Sequence, residues 1–407
     1  LVGSEMCIRD SITPMKFKVQ LFLFILLNTL HGQVDYTSQI QTIFSSDCTG
    51  CHSYGNASGG LTLTSYSGVM AGGNSGAVIV ANDHANSLLW QKVNTGEMPQ
   101  NNPALPQSQI DLIALWINEG ALEFPAVIQK TYVPDDNFEQ ALIDLGYDNA
   151  LDDSVLTANI SGVTTLNVSN DSISDLTGIE GFTALNELWC QSNQLTSLDV
   201  SSNTALTTLF CSNNALTALD ISSNTALINL DCGYNSLTSL DVSKNTALTA
   251  LTSNANQLTS LDVSKNTALT TLYCGNNQLT SLDLSTNTAL TELYSINNQL
   301  TSLDISKNTA LTILHLQYNQ LTSLDLSNNI ALTELRLQNG NQLTSLDLSK
   351  NTALTELGTG SNQLTSLDVS KNTALTWLYC GSNQLTSLDL SKNTALTNLA
   401  IGVNQLT

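Results

Sequence analysis

The chain has 407 residues, with 12 Lys+Arg against 34 Asp+Glu, a net charge of −22 and a pI near 4.1. Apolar residues make up 42%, so the chain can bury a core and is not a disordered acidic tail. The charge balance excludes nucleic acid and anionic membrane surfaces as partners, because both reward patches of Lys and Arg.

Only 11% of residues are charged, against roughly 25% in ordinary soluble domains. Neutral Asn, Thr and Ser therefore fill the surface, which points to a repetitive sequence. Residues 1–14, Cys7 included, precede the expected natural start at Met15 and are read as upstream read-through. Next come Lys16 and Lys18, an apolar run over 21–27, and a polar stretch ending at Gly32. A basic region followed by a short apolar run predicts a secretory signal peptide over residues 15–32. The run is too short to span a bilayer, which needs about 20 residues. Export to the periplasm, cell surface or medium is expected, with no transmembrane segment.

Directly afterwards stands Cys48-Thr49-Gly50-Cys51-His52. C-x-x-C-H is the attachment pattern of c-type haem. Thiols at i and i+3 share a helical face and can form two thioethers, and the next residue, His52, can ligate the iron. Ile40, Ile43 and Phe44 at helical spacing predict an amphipathic helix leading into the motif. A redox dithiol would need a surrounding βαβ pattern. A zinc site would need a second ligand pair nearby. Neither is present. For the sixth ligand there are three candidates: Met98, Met70 and His84. Met98 is the strongest, because Pro99 fixes the turn that would aim its thioether. Ile110, Ile113, Ala114 and Ile117 form one stripe beside Trp116 and predict a further helix packed on the first.

With these residues in view, positions 33–124 resemble a class I cytochrome c domain of the compact type found in planctomycete-like and Bacteroidetes secreted proteins. The resemblance rests on the Cys48–His52 motif, Gly59-Gly60-Leu61, Gly72-Gly73, Met98-Pro99 and Trp116-Ile117 with Gly120-Ala121. It implies an all-α fold, one covalent haem c held by Cys48 and Cys51, His52/Met98 axial ligation of the iron, and electron transfer. This segment holds 1 basic against 7 acidic residues, so a redox partner with a basic docking surface is expected.

Residues 125–181 form a linker and cap. Asp135–Leu145 predicts a short helix stopped by Gly146, and residues 166–173 predict an irregular first coil. From 182 to 407 the chain repeats. Asparagines from Asn193 to Asn404 step by 21 residues, with one step of 22 at Asn339-Gly340-Asn341. The unit matches L-x-x-L-x-L-x-x-N-x-L, the leucine-rich repeat pattern. It predicts a solenoid with a parallel β-sheet, inward leucines and an internal asparagine ladder that satisfies the turning backbone. This part is similar to bacterial internalin-like leucine-rich repeat proteins, which implies the fold but not a ligand. The chain stops in mid-repeat, without the polar capping coil a solenoid needs, and is expected to continue further.

Three rows of residues recur along the repeats. Cys190, Cys211, Cys232, Cys274 and Cys380 share one inward position, which suits a buried thiol ladder better than disulfides. Ten aspartates from Asp199 to Asp389 form either a solvated face or a weak Ca²⁺ row. A third file varies most: Trp189, Phe210, Tyr273, Tyr294, His315 and Tyr379, with Trp377 in the neighbouring file. Aromatics on a concave sheet suit a protein or glycan ligand. Drift after repeat duplication would also produce such a file.

No nucleophile constellation, phosphate loop or second haem motif is present, so a non-enzymatic protein is expected. The sequence supports a secreted electron carrier with a docking arm, or a cell-surface adhesion protein whose cytochrome domain is accessory.

Overall fold

The computed structural model describes residues 33–100, 102–124 and 129–407. The expected signal peptide and the upstream stretch lie outside them. The chain divides into two compact units, parting between Ile128 and Gln129.

In the first unit, a π-helical turn at Tyr36–Ile40 runs into α1 (Gln41–Asp47). Two short strands follow, β1 (His52–Ser53) and β2 (Asn56–Ala57), paired antiparallel. Then come α2 (Tyr66–Ala71), α3 (Leu88–Asn94) and α4 (Gln107–Asn118). The unit is therefore not clearly the all-α domain expected. Its helices are few and short, because Gly, Ser and Asn fill the connections and favour turns over helix interiors. Gly72 adopts φ +77°, and a Cβ there would lie 2.3 Å from the Gly76 carbonyl oxygen. The core gathers Ile40, Ile43 and Phe44 against Ile113, Trp116 and Ile117, all buried. Tyr36 sits among the rings of Phe44, Tyr66 and Trp116 at 5.2–6.3 Å. The polar ends of these aromatics are satisfied: Tyr66 Oη donates to the Ala121 carbonyl and Trp116 Nε1 to that of Leu122.

The second unit begins with an antiparallel pair, β3 (Lys130–Tyr132) and β4 (Ser154–Leu156), flanking α5 (Asp136–Asp144). A short helix α6 (Thr157–Ile160) leads to β5 (Thr165–Asn167). Asp135 caps α5, accepting from the backbone N–H of Asn137 and Phe138 at 3.0 Å. Its other oxygen accepts from the Ser174 and Asp175 backbone and so ties the helix to the first coil.

From β5 a twelve-stranded parallel sheet continues through β6 (Glu187–Trp189) to β16 (Asn398–Ala400), one three-residue strand per coil. The repeat period sets the register: Leu188 pairs with Leu209, Leu209 with Leu230, and so on along the sheet. Coils of identical length bring identical positions together, so the buried leucines stack into a continuous core. The 22-residue step leaves this register intact, and Leu335 still pairs with Leu357. The extra residue is absorbed at Asn339 and Gly340, both at positive φ.

The expected asparagine ladder is present. Asn214 Oδ1 accepts from Leu195 N–H at 3.0 Å, while its Nδ2 donates to the Cys190 and Cys211 carbonyls. A second ladder, from Asn203 to Asn393, is more deeply buried. There Asn266 Nδ2 donates to the carbonyls of Val242 at 3.0 Å and Asn245 at 2.9 Å. Each residue just before the first-ladder asparagine has positive φ, from Ser192 to Val403. Among the described residues no helix is long and apolar enough to cross a membrane.

Candidate functional site

The first unit contains a cleft of about 920 Å³, part of it open to solvent and within the ~300–1,000 Å³ usual for ligand sites. It draws together Cys48, Cys51, His52 and Met98 from distant parts of the segment. The end of α1 places the thiols: Cys48 N–H donates to Phe44 O at 2.9 Å, and the turn closes with His52 N–H on Cys48 O at 3.1 Å. The loop after the glycines then fixes the imidazole. Leu63 N–H bonds the His52 carbonyl at 2.9 Å, and His52 Nδ1 lies 3.1 Å from the Leu61 carbonyl oxygen. A carbonyl can only accept, so Nδ1 carries the proton, and in the neutral imidazole Nε2 keeps a free lone pair for a metal.

Met98 reaches the cleft from the other side, with its N–H held by the Lys92 carbonyl at 3.1 Å. The other two ligand candidates do not line the cleft. Met70 is 37% exposed on α2. His84 is occupied by Asn118 Oδ1 at 2.8 Å and rests edge-on against Trp90. The cleft walls are apolar, with Phe44, Leu61, Leu89 and Val93 among them. Burial, with Asp47 beside it, pushes the Cys48 thiol up to about 11, so it is not the thiolate a redox dithiol needs. Two thiols, an imidazole with Nε2 available and a thioether around an apolar slot form the donor set a covalent haem requires.

The second unit carries the variable file. Trp189 stacks on Phe210 at 6.5 Å and 14°. Tyr273, Tyr294 and His315 form an edge-to-face run at 4.4 Å spacing. These rings are half-buried or buried rather than fully exposed, because each leans on its neighbour in the next coil. Tyr273 Oη donates to Glu292 at 2.9 Å, and His315 Nε2 meets Glu334 at 2.7 Å. Arg336 forms an ion pair with Glu334 at 2.6 Å and donates to Glu356 at 2.7 Å, with its guanidinium 5.2 Å from the Trp377 ring centre. Trp377 in turn lies 6.3 Å from Tyr379. The file is thus a knit strip of aromatics and charges. Arg336 occupies the same repeat position as Tyr294 and His315. Its bridging role depends on stacking Glu334, Arg336, Glu356 and Trp377 across three coils.

The two other rows have local explanations. Each row aspartate caps its own turn: Asp262 Oδ1 accepts from Ser264 N–H at 2.8 Å, and Asp304 from Ser306 at 2.9 Å. These bonds hold the exposed carboxyls below the usual range. Among the described residues no three carboxylates of the row come close enough to share one metal ion. The repeat cysteines are buried free thiols. Burial pushes Cys190 and Cys232 up to about 12, which leaves them protonated and inert.

Comparisons with known proteins match each unit separately. The Planctomycete cytochrome C family model matches residues 48–101. The functional domain of InlJ from Listeria monocytogenes, described as including a cysteine ladder, is 41% identical with a TM-score of 0.66. That match covers 69% of this chain and 63% of the InlJ chain. The second unit is a leucine-rich repeat solenoid similar to those of the internalins. Internalin F of the same species superposes with a TM-score of 0.64 at 26% identity, over 68% of this chain and 84% of its own. The curated Internalin J is 42% identical over 72 residues, 18% of this chain and 8% of that protein. This chain thus spans only a small part of that relative's length.

Proposed function

We propose that the protein is a non-enzymatic, exported binding protein whose repeat face docks a protein or glycan, with a haem-carrying first unit. The strip from Tyr273 to Tyr379 carries this reading. Most repeat positions barely change along the chain, whereas this strip is rich in Tyr, Trp, His and Arg. Tyr, Trp and Arg supply large contact areas that lose little entropy on binding and dominate interface energetics. Likeness to the internalin solenoids supports a docking arm of this kind. Binding of the exported chain to protein and glycan arrays tests it. Replacing Tyr294 and Trp377 with Ala should abolish the strongest signals, and unchanged signals would overturn the assignment.

A second reading is supported by the convergence of Cys48, Cys51, His52 and Met98 on one cleft. Cys48 and Cys51 would anchor a haem covalently, while His52 Nε2 and the Met98 thioether would ligate its iron. When bound, the haem supplies one-electron chemistry, and His/Met ligation raises its potential. The chain's own contribution is to orient the imidazole through Leu61, exclude water with apolar walls and present an acidic surface to a basic redox partner. Expression in a host that attaches haem should give covalent c-type absorbance. A protein with an intact first unit and no such absorbance would overturn this reading.

A further inference from the structure

The cap of the second unit holds a group of carboxylates that belongs to neither the haem cleft nor the aromatic strip. Oxygens of Asp136, Glu139 and Asp153 lie within 4.8 Å of one another. Asp136 and Glu139 sit at i and i+3 on one face of α5. Asp153 lies in the turn entering β4. Glu139 is 0% exposed. Its Oε1 accepts from the backbone N–H of Asp152 at 3.0 Å and Ser154 at 2.8 Å, so the turn wraps around this carboxylate. Its Oε2 is buried and has no hydrogen-bond partner. Among the described residues no Lys, Arg or His forms an ion pair with any of the three. The nearby Lys130 is committed to Asp152 Oδ2 and Ser154 Oγ at 2.9 Å. Asp135 is committed to Ser174 and Asp175.

A buried carboxylate oxygen without a donor is costly, and two further carboxylates beside it add to the cost. A cation seated between them removes both penalties. We propose that Asp136, Glu139 and Asp153 bind one Ca²⁺ ion that staples α5 to the β3–β4 pair and stabilises the solenoid cap. The all-oxygen donor set suits a hard cation and lacks the nitrogen or sulfur that Zn²⁺ favours. Two exposed members leave room for the waters or carbonyls that complete a Ca²⁺ shell of six to eight oxygens.

The test is calcium titration of the full chain after chelation, followed by calorimetry and by thermal unfolding. Wild type should take up one Ca²⁺ that is lost in both Asp136→Asn and Asp153→Asn. At a hundredfold excess over its Kd, the ion should raise the cap's folded-to-unfolded ratio about 100-fold, seen as a higher melting temperature. Both variants should fold under chelation, melting at or above the wild-type temperature because one repulsive charge is gone. No calcium response in wild type would overturn the proposal. So would a response that survives in both variants, which would place the ion elsewhere, or stabilisation by Zn²⁺ and not by Ca²⁺.

Discussion

His52 Nδ1 and the Leu61 carbonyl oxygen are 3.1 Å apart, and this contact decides which imidazole nitrogen faces the cleft. The same cleft contains Met98 but neither Met70 nor His84. In haem-loaded protein, Met98→Ala is therefore expected to change the absorbance spectrum and lower the reduction potential, while Met70→Ala leaves both at the wild-type values. Redox titration with optical detection checks this. Equal effects from the two variants would remove Met98 from the ligand role.

The second asparagine ladder is expected to matter more than the aspartate row. Asn266→Ala strands the buried carbonyls of Val242 and Asn245 without their Nδ2 donor. This should cost roughly 1–3 kcal/mol, the penalty for unsatisfied buried groups. Asp262→Ala removes one exposed turn cap, which water can replace, and should cost clearly less. Denaturant midpoints of the two variants, measured side by side, give the ranking.

Ala255 holds φ +53° in a position where Asn or Ser stands in most coils. A Cβ in the left-handed region is strained, and glycine relieves it. Ala255→Gly should therefore stabilise the solenoid by roughly 0.5–1 kcal/mol despite glycine's greater freedom when unfolded. A fall in the thermal midpoint would contradict this.

His315 gives the aromatic strip a pH dependence. Burial holds its imidazole below the usual value of 6.5, and Glu334 beside it offsets part of that effect. Between the two values the unfolded chain binds more protons, so stability rises with pH there. The contribution is fully present above about 6.5 and is lost as pH falls through the folded value. His315→Gln should remove this component. The difference between wild-type and variant stabilities, measured across that window, should slope for this reason and be flat above it.

Much of the second unit was legible in the sequence because a solenoid is nearly one-dimensional. Each coil contacts its neighbours in a fixed register, so a period of 21 residues already places Leu188 on Leu209 and Asn193 one coil before Asn214. The second ladder was equally visible as an unchanging asparagine from Asn203 onward. It was missed because a polar residue between Lys and Thr resembles a surface loop. The Asp row fits a bare solvated face or a cation row equally well in sequence, since a turn cap of i to i+2 has the same spacing as either.

By itself the sequence determined the repeat period, the strand positions, the inward leucines and the Cys48–His52 motif, all of which are set by local order and regular spacing. Only the tertiary structure decided which residues meet from distant parts of the chain. It brought Met98 into the cleft with His52, moved the aromatic file from open surface to a half-buried strip, and gathered Asp136, Glu139 and Asp153 around one point. These meetings depend on how irregular loops and a single cap helix fold back on their neighbours. No periodicity encodes that path, because it is fixed by packing and by hydrogen bonds between residues far apart in the chain.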